Sequence, residues 1–161
     1  MPSQKEIEKK LWSELKSDRT IMLGLESGAG GGAQPMTAIL EDDERGPVWI
    51  FSSLDVDLVQ ALDMRPVPAV AQFVSKGHGL FAALHGQLQV QNNPAMVEKL
   101  WNPFIAAWYD GKDDPKLRLM RLDLDHAHVW LNENSVFAGM KMLFGIDPKK
   151  DYKDKTADIS L

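Results

Sequence analysis

Apolar residues at Ile7, Leu11 and Leu15 recur at helical spacing, with Trp12 alongside and charged residues between them. That stripe predicts an amphipathic helix over residues 4–17. Ser3 suits the N-cap, and Glu6 three residues later completes a capping-box pattern. Asp18 and Arg19 end the helix. The period then shortens. Residues 20–27 (TIMLGLES) read as a strand, the glycine run at 28–32 as a flexible hairpin, and residues 34–42 (QPMTAILED) as the return strand. Residues 47–53 (PVWIFSS) form a third strand, with Trp49 and Phe51 on one face and Ile50 on the other. The stretch 53–64 reads as a helix capped by Ser53, with Asp55 and Asp57 near its positive end.

A fourth strand is predicted over 67–75, where Pro66 and Pro68 suggest an edge position or an irregular start. A fifth covers 80–91, with a bulge or kink at Gly86. A helix begins near Pro94, where Met96, Val97, Leu100 and Trp101 keep helical spacing. Residues 117–124 and 126–131 make a sixth strand or a bent pair. Residues 135–145 read as a short strand or helix, and 147–161 as a polar, poorly ordered tail. Residues 1–146 thus make one domain. Some six strands in neighbour-connected order, joined by short turns, favour antiparallel pairing. The expected class is α+β, with the sheet closing into a small barrel that removes its exposed edges.

Composition narrows the picture. The 161 residues suit one domain, and 44% are apolar, enough for a core. A net charge of −5 argues against a general nucleic-acid binder. Absence of cysteine excludes disulfides, thiolate metal sites and a thiol nucleophile. No apolar run approaches the ~20 residues needed to span a bilayer, and the charged N-terminus lacks a secretory core. A cytoplasmic protein without membrane partners is the expectation.

Candidate chemistry is sparse. The glycine run lacks the Lys-Ser/Thr pair of a P-loop and the spacing of a dinucleotide fingerprint. His126 and His128 share a strand face and could supply two metal ligands, but nothing identifies a third, so no metal is expected. GxSxG and HExxH motifs are missing. Ser52 and Ser53, where a strand meets a helix, can offer hydroxyls and a helix N-terminus to a phosphate. Most of the five tryptophans belong to the core. Trp108 and Trp130 end their elements beside polar residues and suit a rim or a stacking contact.

Four stretches carry a family resemblance: QPMTA, VWIFSSLDVDLVQAL, KLWNPFIAAWYDGKDDPKLRLMRL and HAHVW. Together they resemble the general stress protein 26 group of the pyridoxamine 5'-phosphate oxidase-like, FMN-binding split barrels, across roughly residues 4–145. The resemblance implies a six-stranded antiparallel split β-barrel with flanking helices. It also implies a homodimer holding two FMN molecules, with FAD as the alternative, in grooves at its interface. Carried over by position, Gln34, Pro35, Met36 and Thr37, continuing to Ile39, run along the flavin. Phe51, Ser52 and Ser53 contact it and its phosphate. Phe81 occupies a further contact position, and Trp130 arrives from the partner subunit to flank the ring.

Two departures stand out. The family's Arg is replaced by Gln34, and its Lys by Leu58. A charge-assisted hydrogen bond contributes about 1.5–3 kcal/mol, so losing two weakens the grip on a dianionic phosphate. Lys141, Arg65, Lys76 and the helix start after Ser53 are the candidate compensators. The implied function is a flavin-dependent oxidoreductase of unassigned substrate. The alternatives are a flavin-binding stress protein without turnover and a cofactor-free dimeric interaction protein.

Overall fold

The computed structural model describes residues 2–41, 45–62, 65–132 and 156–161. Helix α1, Gln4–Asp18, carries the predicted capping box. The Ser3 hydroxyl accepts the Glu6 amide at 3.2 Å, and the Glu6 carboxylate accepts the Ser3 amide at 3.0 Å. Arg19 ends the helix in the left-handed region, φ 59°, its amide donating to the Leu15 carbonyl. Ile7, Leu11, Trp12 and Leu15 are buried against the sheet. Truncating a fully enclosed leucine of this kind costs about 2–5 kcal/mol.

The strands are β1 Thr20–Leu25, β2 Gln34–Thr37, β3 Val48–Ser53, β4 Val67–Val74, β5 Leu80–Val90, β6 Leu117–Leu131 and β7 Thr156–Ser160. All pairings are antiparallel, in the order β2-β1-β4-β5-β6-β3, with β7 also on β6. The neighbour-connected order therefore holds for β1–β2 and β4–β5–β6 but not around β3, which crosses to pair with β6. The six expected strands become seven, because the last residues of the polar tail form β7. There Ala157 and Ile159 face inward beneath a polar outer row. One edge of β6 serves β5 along most of its length. Its other edge pairs with β3 over 117–122 and then with β7 over 126–130.

The two ends of the sheet, β2 and β3, meet through one isolated bridge between Ile39 and Trp49. Their amides and carbonyls exchange hydrogen bonds of 2.8 and 2.9 Å. No ladder extends from it among the described residues, so the cylinder is split rather than sealed.

The helical regions are shorter than expected. Helix α2 spans only Asp57–Gln60, with Val56 at its N-cap. Ser53 does not cap it. Its hydroxyl accepts the Asp55 amide at 3.3 Å, and its carbonyl accepts the Val56 amide at 3.0 Å, closing a local turn instead. Downstream, α3 (Pro94–Leu100) and α4 (Pro103–Ala106) are separate helices. Asn102 precedes a proline, which disfavours helical backbone. It starts a new cap, as Asn93 does for α3. The predicted element at 135–145 lies outside the described residues.

Gly86 bears out its reading as a bulge partner. The β5–β6 register shifts between His85 and Gly86, and Asp125 is the extra residue on β6. Before Asp125 the core-facing residues are Met120, Leu122 and Leu124; after it they are Ala127 and Val129. A methyl group on Gly86 would meet the Asp123 carbonyl oxygen at 2.1 Å, and that backbone cannot give way. Gly86→Ala is expected to destabilise the fold by about 3 kcal/mol. Urea denaturation would show it as a lowered midpoint at unchanged slope.

Candidate functional site

Where the β2–β3 ladder fails, the strands part and leave a groove of about 710 Å³. This lies inside the range of about 300–1,000 Å³ seen for small-molecule sites. Continuing the Ile39–Trp49 register sets Thr37 toward Phe51 and Pro35 toward Ser53. One end is therefore hydroxyl and amide in character: Gln34, Ser52 and Ser53. The other is aromatic, around Phe51 and Tyr109.

Each wall is held by its own contacts. The Gln34 side-chain amide donates to the Gly30 carbonyl at 2.6 Å, which fixes its orientation. Ser52 is 5% exposed and lines the groove from the end of β3. Trp101 packs edge-on against Phe51 at 6.1 Å and tilts against Tyr109 at 6.4 Å. These belong to a second, smaller core of Trp49, Val97, Leu117 and Leu119.

Helix α4 and the turn after it close over the aromatic end. The Asn102 side-chain oxygen, Oδ1, accepts the backbone amides of Phe104 and Ile105. Ile105 turns inward, while Phe104 and Trp108 stand 85% and 84% exposed at the mouth. The Asp114 carboxylate pins the following loop, accepting the Asp110 amide at 3.0 Å and the Lys116 amide at 2.9 Å. Those two amides hold its pKa below the usual carboxylate range. Burial, and then the charge of Asp114, pushes the Tyr109 phenol up from its ordinary value.

Of the expected contact residues, Gln34, Pro35, Met36, Thr37, Phe51, Ser52 and Ser53 all line this groove. Leu58 does not: it is fully enclosed in the main core. The glycine run is likewise not a free hairpin. Gly30, with φ 77°, lies so close to α2 that a methyl group there would sit 2.7 Å from the Leu58 Cα. Helix α2 is one turn long and offers no dipole site after Ser53. Phe81 and Trp130 are cross-strand partners on the outer face of β5 and β6, away from the groove lining. Lys141 lies outside the described residues. Neither Arg65 nor Lys76 lines the groove.

Arg19 was legible only as a helix terminator, yet it lines the groove. Its carbonyl accepts the Ala38 amide at 2.7 Å, which seats it beside the Thr37 end. Only the β1–β2 pairing brings it there; no local motif announces it. His126 stacks on His85 at 4.7 Å, and His128 leans on Trp130 at 4.2 Å and bonds Asp158. Among the described residues no three His, Cys, Asp or Glu side chains converge on a metal position. No described helix is long and apolar enough to cross a membrane.

An antiparallel split barrel with a groove at its open seam defines the class. The Pyridoxamine 5'-phosphate oxidase like family model matches residues 6–152, and the chain belongs to that family. Among solved structures it is similar to the general stress FMN/FAD binding protein of Xanthomonas citri. That likeness is 52% identity over 82% of this chain and 93% of the other, with a TM-score of 0.77. A candidate general stress family protein of Xanthomonas campestris pv. campestris is 51% identical over 84% and 93% of the two chains, also at 0.77. General stress protein 26 of Bacillus subtilis (strain 168) is 28% identical over 43 residues, 27% of this chain. That match spans only 31% of the relative's length.

The Asp114 turn generates a pH prediction. Its folded pKa is depressed, so its stabilisation is present above the unfolded value of about 3.9 and is lost as pH falls through the folded one. Urea midpoints should decline on acidification below about pH 4, and Asp114→Asn should flatten that acid limb.

Proposed function

We propose that the seam groove holds a flavin mononucleotide, with FAD as the alternative, and that the protein is a flavin-dependent oxidoreductase of the stress-protein type. The phosphate lies at the Gln34, Ser52 and Ser53 end and the ring toward Phe51 and Tyr109. The protein acts as a cytoplasmic homodimer, with Phe81 and Trp130 of each protomer covering the flavin of the other. The observation that carries this reading is the groove itself. It is long, aromatic at one end and hydroxylic at the other, with no carboxylate among its described lining residues to repel a phosphate. The 52% identical Xanthomonas citri protein, described as FMN/FAD binding, supports it.

Bound flavin would supply the redox chemistry. The chain's own part is to orient it through Ser52, Ser53 and the Gln34 amide and to exclude water with the α4 cover. A cofactor-free reading is favoured by one observation. The two positions where the resemblance implies cations hold an amide already engaged with Gly30 and a leucine sealed in the core.

Purified protein is expected to carry flavin absorbance and to quench added FMN saturably. Removing one hydroxyl that bonds a charged phosphate should weaken affinity about tenfold or more, so Ser52→Ala is the direct check on that end. Light scattering should give twice the chain mass. Protein that neither copurifies flavin nor quenches FMN supports the cofactor-free reading instead.

A further inference from the structure

Resting on the flavin reading, we infer that the groove's second ligand is a planar aromatic compound carrying a single negative charge. Arg19 takes the charge, and Phe104 and Trp108 stack on the ring. Three observations converge on this. The first is charge: Arg19 is the one ionic side chain among the described residues lining the groove, and no carboxylate there offsets it. Its side chain makes one hydrogen bond among the described residues, from Nε to the Lys16 carbonyl at 3.2 Å. That leaves the two terminal nitrogens, the pair that suits a carboxylate, for a ligand.

The second is separation. The Arg19 backbone sits beside Thr37, and three strand residues at about 3.3 Å each put that backbone roughly 10 Å from the Gln34 backbone. A flavin whose phosphate occupies the Gln34–Ser53 end does not neutralise a cation at the other end. A second anion does.

The third is the mouth. Phe104 and Trp108 are four residues apart, so they project from one side of α4 and its following turn. Both are largely in water, while their neighbours Ile105 and Tyr109 face inward. Two such aromatics at the rim of a groove offer stacking faces to a flat ring. A guanidinium with no second cation and no long helix N-terminus among the described lining residues matches a monoanion such as a carboxylate better than a phosphate dianion.

The test uses the intact FMN-loaded protein, with 2-naphthoate, its neutral amide and pyridoxal 5'-phosphate as probes. Binding is read from the perturbation of flavin absorbance. Naphthoate should bind about tenfold more tightly than the amide, as one charge-assisted contact implies. Arg19→Gly suits the left-handed backbone there and so preserves the fold. It should abolish that preference while changing FMN affinity far less, and Arg19→Lys should restore part of it. Phe104→Ala with Trp108→Ala should weaken acid and amide alike.

Four results would overturn the inference: equal affinity for acid and amide; tighter binding of pyridoxal 5'-phosphate than of naphthoate; an Arg19→Gly loss of FMN affinity as large as that of naphthoate; or a change of oligomeric state when the two aromatics are truncated, which would mean a second copy covers them. If FMN does not load, Arg19-dependent naphthoate quenching of tryptophan in the apo protein retains this inference and removes the flavin reading. No naphthoate binding to either form removes the inference alone if FMN still loads.

Discussion

Two hydrogen bonds between Ile39 and Trp49 decide how far β2 and β3 can part, and the groove exists because the ladder stops there. The bridge is reinforced from its flanks. The Trp49 indole donates to Glu41 at 3.4 Å, and Glu41 pairs with Lys99 of α3 at 2.7 Å. The Lys99 ammonium, ahead of the indole, holds the Glu41 carboxyl below its ordinary range. The Arg121 guanidinium lies 6.0 Å from the Trp49 ring. Residues on β2's extension, β3, β6 and α3 thus hold one point of the seam, while the strands beyond it remain free to line a site.

A second constraint is the extra residue Asp125. Strand side chains alternate, so one inserted residue sends everything after it to the other face. Without it, Ala127 and Val129 would face out and His126, His128 and Trp130 would enter the core. With it, a large aromatic ends a charged strand on the outer face, beside Phe81 and the stacked histidines. Gly86 makes this tolerable because only hydrogen leaves room for the Asp123 carbonyl.

Charge is distributed unevenly along the groove. Its hydroxylic end has polarity without cations among the described residues, and its single described guanidinium sits at the far end. A phosphate held by hydroxyls and an amide gains less than one held by ion pairs. On the proposed reading, the grip on cofactor therefore leans on ring contacts and on the partner's aromatics.

Local signals were legible in the chain by itself: the capping box and apolar stripe of α1, the bulge at Gly86 and the short β4–β5 connection. Each depends on spacing over a few residues, where backbone geometry and side-chain periodicity act directly. The groove residues Gln34, Pro35, Met36, Thr37 and Phe51 came instead from the family resemblance, with Ser52 and Ser53 also readable as hydroxyls where a strand meets a helix. Tertiary structure alone decided the rest. Ser53 closes a turn rather than capping a helix, α2 shrinks to one turn, and β3 crosses to β6. TADIS becomes a strand because β6 has an edge to offer. Leu58 disappears into the core, and Arg19 reaches the groove through a strand pairing that no short motif encodes. These outcomes turn on which distant surfaces meet, and contacts across the whole chain override local propensity when they bury more apolar area.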